Sequence, residues 1–116
     1  MLKWTQLMQL VRECAGEPLY RYRANGKGPC TVWQEGTIYV YHASETIRYS
    51  TISTEMLITR FGYVDERMDP VARALIDRLA EAHAVFSCTS DYDEDRDMVR
   101  YRFTISEVRM DAPDTL

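Results

Sequence analysis

Histidine and cysteine are scarce in this sequence. Two histidines, His42 and His83, and three cysteines, Cys14, Cys30 and Cys88, stand in 116 residues. An odd number of widely spaced cysteines does not make a disulfide framework, and reduced thiols in a cytoplasm are the simpler expectation. No CxxC pair or Cys/His cluster marks a zinc site. GxSxG, Walker, GxGxxG, HExxH and kinase signatures are missing as well. Nucleophilic catalysis needs a nucleophile, a base and a group that orients the base. Nothing in the chain assembles such a set, so no catalytic residue, metal or cofactor is assigned. Glu45, Glu55 and Asp65 lie near element ends, but nothing singles them out for acid–base work. The opening MLKWTQLMQLVREC is too short and too polar for a signal peptide or a membrane span, so a membrane partner is not expected. There is no internal repeat and no low-complexity tract.

What is present describes one folded domain. Hydrophobic residues make up 46% and charged residues 28%, which argues against disorder. The expected domain runs over 1–109, with a frayed tail at 110–116. Net charge is -4, and the stretch DYDEDRD alone, five acids against one Arg, carries that same -4. Elsewhere basic and acidic residues balance, so neither a DNA-coating protein nor an acidic DNA mimic is indicated and a nucleic-acid partner is not expected.

Periodicity supplies the elements. Trp4, Leu7, Met8, Val11 and Cys14/Ala15 recur at helical spacing, with Gly16 and Pro18 as stops. PLYRYR alternates as a strand, and ANGKGP reads as a turn. CTVWQEGTIYVYHA reads as two strands joined by a tight hairpin at Gln34-Glu35-Gly36, and TIRYSTI (46–52) as a further strand in a meander. TEMLITRF, capped by Ser53 or Thr54 and stopped by Gly62, reads as a short helix. Asp69 as N-cap, Pro70 at the first helical position and the stripe Val71, Ala72, Leu75, Ile76, Leu79 and Ala80 predict a stronger helix, with His83 in its last turn. AVFSCTS and MVRYRFTISEV form a final β pair around DYDEDRD. The expected fold is α+β: an N-terminal helix, a mostly antiparallel sheet of about five to six strands, and two further helices packed on one face.

The acidic stretch has three readings. Asp91, Asp93 and Asp95 have the D-x-D-x-D start of a calcium loop, but Arg96 and Arg102 occupy the positions where such a loop needs Gly and Glu. A solvated hairpin tip explains the charges with less. A recognition surface is the third reading. Asp91, Asp93, Glu94, Asp95 and Asp97 would attract a basic protein surface. Trp33 and Tyr39, expected beside the first hairpin turn, and Trp4 are candidates for an oligomer interface. Arg21, Arg23, Arg48, Arg100 and Arg102 occupy strand positions opposite larger apolar or aromatic neighbours and, if the strands pair suitably, line one open sheet face, where Arg suits carboxylate or phosphate.

Two function classes follow. One is a small non-catalytic cytoplasmic protein-interaction module, self-associating as a homodimer or small oligomer, of the kind carried as accessory cargo by phage and mobile elements. The other is a small-molecule-binding domain, or small enzyme, with an aromatic pocket between sheet and helices and with Tyr41, His42, Arg100 and Arg102 as ligand contacts.

Overall fold

The computed structural model describes residues 2–42 and 50–110, excepting the side chains of 41, 42 and 50–52. Seven elements follow in order: α1 (Trp4–Ala15), β1 (Leu19–Arg21), β2 (Cys30–His42), β3 (Ser50–Tyr63), α2 (Pro70–Glu81), β4 (Val85–Asp93) and β5 (Met98–Arg109). The class is α+β, with a five-stranded sheet of order β1-β2-β3-β5-β4. All neighbours are antiparallel except β1 and β2, which run parallel. Strands β3 and β4 also run the same way, joined through α2, with β5 inserted between them.

Both helices form where their signals stand. Gly16 closes α1 with φ 58°, a conformation only glycine adopts cheaply, and its N–H donates to the Arg12 carbonyl. Asp69 caps α2 by accepting from the Ala72 N–H at 2.9 Å. The predicted stripe is largely buried at Ala72, Leu75 and Leu79, though Ala80 faces solvent. His83 lies just beyond α2 and not in its last turn, in a turn with φ 56°.

One sheet face carries both helices. Leu7, Met8 and Val11 of α1 and Leu75 and Leu79 of α2 pack on Met56, Ile58, Phe103, Ile105 and Val108. Each such side chain withdrawn from water stabilises the fold by about 1.5–3 kcal/mol. The opposite face has no helix among the described residues.

The segment TEMLITRF is strand, not helix. Thr54, Met56, Ile58 and Arg60 are buried, while Glu55, Leu57 and Thr59 point to the open face. That period of two suits a central strand with β2 on one side and β5 on the other. The cap and stop signals at Ser53, Thr54 and Gly62 favour a helix, and pairing along both edges overrides them. The expected third helix is therefore absent among the described residues, and α2 is the only helix after α1 there.

Gln34-Glu35-Gly36 is not a turn either. β2 runs through it unbroken, with a register shift between Glu35 and Ile38. Two residues of β2, Gly36 and Thr37, stand opposite the single residue Glu55, which is a β-bulge. Glycine is used there because a Cβ at position 36 would come 3.1 Å from Glu55 Cβ. A second bulge in β5 faces the same Glu55, with Glu107 at φ 57°. The β2–β3 connection falls at 43–49, outside the described residues, as do most of the expected strand 46–52 and residues 111–116 of the expected tail.

Beyond the bulges β2 and β3 continue as an arm. β5 ends its pairing at Ser53, and the pairs Val40↔Ile52, Tyr41↔Thr51 and His42↔Ser50 lie further out. β1 covers the outer edge of β2 only from Thr31 to Trp33. From Gln34 onward that edge has no strand beside it among the described residues.

Candidate functional site: an arginine-lined groove and an apolar arm

The open sheet face holds a groove of about 430 Å³. Its floor is Val32, Gln34, Leu57, Thr59 and Phe61, and one wall is Arg100, Arg102 and Thr104 of β5. The other wall comes from the turn after β1. Tyr22 takes φ 71°, uncommon for a bulky residue, and its N–H donates to the Trp33 carbonyl at 2.9 Å. Tyr22, Arg23 and Ala24 line the groove there, with the Tyr22 ring 4.8 Å from the Arg21 guanidinium.

Arg96 closes one end. Its guanidinium sits 4.5 Å above the Phe61 ring and donates to the Gly26 carbonyl at 2.8 Å. A cation over an aromatic face is attracted to it, so these contacts tie the β4–β5 tip to the 22–29 turn.

The acidic stretch is mostly engaged inside the protein. Asp91 accepts two hydrogen bonds from Arg100, one of them at 3.0 Å, and lies 3.9 Å from Arg102. The Arg100 hydrogen bond holds the Asp91 carboxyl below the usual carboxylate range. Asp93 lies 3.7 Å from Arg96 and 3.9 Å from Arg100, and accepts from the Arg96 N–H. Asp97 accepts from the Tyr92 hydroxyl at 2.6 Å, which pushes the phenol up. Glu94 and Asp95 are exposed and make no ion pair among the described residues.

Of the expected arginine face, Arg100 and Arg102 stand where alternation puts them, and Arg23 reaches the face from a turn. Arg21 belongs to the other side. It pairs with Glu35 at 2.8 Å and stacks 4.9 Å over Trp33. Arg48 lies outside the described residues. Arg96 joins the groove unpredicted, because a residue inside an acidic tip reads as a solvated one.

Trp33 is not beside a turn. It faces Ile58, half-buried, edge-on to Trp4 at 5.9 Å. The Trp4 indole N–H is buried without an acceptor among the described residues. Tyr39 is 45% exposed on the arm, flanked by Ile38 at 54% and Val40 at 58%. Tyr41 and His42 belong to the arm's backbone, but their side chains lie outside what is described. They share the arm, while Arg100 and Arg102 share the groove. The aromatics between sheet and helices, Trp4, Trp33, Phe86, Tyr101 and Phe103, pack into the core. The groove with Arg100 and Arg102 is on the opposite face, not between sheet and helices.

A buried ionic network escaped the sequence reading. Arg60, 8% exposed, donates to both Asp69 oxygens at 2.9 and 3.3 Å and to Thr31 Oγ1 at 3.3 Å. The Asp69 N–H donates to the Tyr101 hydroxyl at 3.1 Å. Read as a strand, TEMLITRF would have placed Arg60 on the core face, which demands a buried acid. This network joins β2, β3, α2 and β5 and is structural in its contacts.

No helix among the described residues is long and apolar enough to cross a membrane. No protein-family model matches the chain, and no curated protein shows significant similarity to it.

Proposed function

We propose that this chain is a non-catalytic protein-interaction module that self-associates by pairing the outer edge of β2 with the same edge of a second copy. The observation that carries this is the run Ile38-Tyr39-Val40: three consecutive large apolar residues, about half exposed, on an arm whose outer edge has no neighbour among the described residues. Isolated exposed apolar residues are ordinary; a contiguous run on both faces of a free edge is the composition of an interface.

Charge supports a second copy as the occupant. From Gly36 to His42 there is no Lys, Arg, Asp or Glu, so the edge lacks the charges that normally keep like strands apart. A two-fold antiparallel pair sets one residue opposite its own copy. Tyr39 is the midpoint of the uncharged stretch. With Tyr39 opposite Tyr39, Ile38 of one copy faces Val40 of the other. The acidic tip has only Glu94 and Asp95 unengaged among the described residues, which supports a smaller part for it in docking. Three free thiols suit a reducing cytoplasm.

Charge exchange tests both edge and register by light scattering. The wild-type chain is expected to scatter as a dimer. Ile38→Lys with Val40→Lys puts like charges opposite each other and is expected to give monomer; Ile38→Lys with Val40→Glu restores opposite-charge pairs and the dimer. A dimer unaffected by the double-lysine change, or no recovery with the Lys/Glu pair, would show that the arm edge is not the contact.

A further inference from the structure

We propose that the groove on the open sheet face binds a small organic anion, a carboxylate or phosphate monoester carrying an apolar body. Among the described residues four arginines, Arg23, Arg96, Arg100 and Arg102, line it, and no Asp or Glu does. The only carboxylates within 4.0 Å of these guanidiniums among the described residues are Asp91 and Asp93, which approach Arg96, Arg100 and Arg102. The groove therefore keeps an excess of positive charge in a protein of net charge -4.

The four arginines divide by role. Arg96 is spent on the Gly26 carbonyl, the Phe61 ring and Asp93. Arg100 is held two-pronged by Asp91. Among the described residues Arg102 has only the long 3.9 Å approach to Asp91, with its side chain 55% exposed, and Arg23 makes no ion pair. These two retain free planar forks, the geometry that takes a carboxylate or phosphate by two parallel hydrogen bonds. Between them the floor is apolar at Val32, Leu57 and Phe61, with Thr59, Gln34 and Thr104 as hydrogen-bonding side chains. An anionic head between Arg23 and Arg102 and an apolar body on that floor match the lining. The volume lies in the range of small-ligand sites, roughly 300–1,000 Å³.

A bulky residue at positive φ supports the same assignment. Tyr22, next to Arg23 in the groove lining, has an uncommon backbone conformation, and such conformations concentrate at binding sites. The inference does not rest on the arm. Self-association and anion binding use different parts of the sheet, and either can fail alone.

The test is titration of the full chain with 1-naphthyl phosphate, 1-naphthoate, inorganic phosphate and the neutral 1-naphthalenemethanol, followed by amide and Arg side-chain NMR shifts. At least one naphthyl anion is expected to shift Arg23, Arg102 and the floor residues, about tenfold more tightly than inorganic phosphate or the neutral alcohol, and less tightly as salt rises. Naphthyl phosphate ahead of naphthoate assigns a phosphate ester; the reverse assigns a carboxylate. Arg23→Ser with Arg102→Ser changes two exposed side chains and leaves the melting temperature unchanged while weakening binding at least about tenfold. No saturable shift by either naphthyl anion, equal binding of the neutral alcohol, or undiminished binding by the double variant overturns the proposal.

Discussion

Replacing Asp69 with Ala should unfold this protein more readily than any surface change, for reasons visible in its contacts. The carboxylate accepts from Arg60 twice, at 2.9 and 3.3 Å, and from the Ala72 N–H at 2.9 Å. Its removal strands the Arg60 guanidinium, 8% exposed, with Thr31 as its remaining hydrogen-bond partner. Leaving one member of a buried pair uncompensated costs about 3–5 kcal/mol. Losing the N-cap of α2 alone costs about 1 kcal/mol. The two overlap in one side chain, so a total near 4 kcal/mol is expected, a large share of the roughly 5–15 kcal/mol that holds a domain folded. With a urea slope of about 1–3 kcal/mol per molar, the unfolding midpoint should fall by about 2 M. Changing Arg60→Met in the same chain removes the stranded charge and should recover part of the loss, which a double-mutant cycle measures as coupling. A loss under about 1 kcal/mol, the value of a cap alone, would refute the view that Asp69 holds a buried cation.

Further predictions follow from other contacts. Gly62→Ala would set a Cβ 2.6 Å from Asp69 Cβ, so it should cost about 1–3 kcal/mol by urea unfolding, and less than additively when combined with Asp69→Ala. The Asp91 carboxyl, depressed by the Arg100 hydrogen bond, should titrate below the ordinary range by carbon NMR, and Arg100→Ala should raise its midpoint. Because the folded value lies below the unfolded one, this pair's contribution is present above the unfolded carboxylate range and is lost as pH falls through the folded value. At an exposed site the effect on stability is small. Cys30, 2% exposed with its thiol pushed up by burial, should react with a thiol reagent only when the protein is unfolded; reaction at the rate of a free thiol in the native protein would contradict its placement.

The helices were the most legible part of the sequence because local chemistry decides them. Gly16, Asp69, Pro70 and the two apolar stripes act within a turn or two of where they stand. β4 and β5 were legible for a similar reason, since the last strand alternates cleanly from Val99 to Ile105. The segment around Met56 was not. Ser53 or Thr54 before it and Gly62 after it look the same as a helix cap and stop, and the pairing with β2 and β5 that makes it a strand involves residues far away in sequence. Gly36 was misread because a glycine that admits a neighbouring side chain looks the same as one that turns the chain. Arg100 and Arg102 were readable from alternation, whereas Arg96 was not, since its partners Gly26 and Phe61 lie 70 and 35 positions away in sequence. The exposure of Ile38 and Val40 could not be read before the length of β2 was known.

Backbone amide exchange along β2 at two protein concentrations probes the arm edge itself. If a second copy pairs there, alternate amides between Gly36 and His42 gain protection as concentration rises, while the rest of the sheet is unchanged, because only outward-pointing N–H groups acquire new carbonyl partners. Exchange at those outward amides that stays fast at every concentration would mean the edge is free in solution, and self-association through the arm would be wrong.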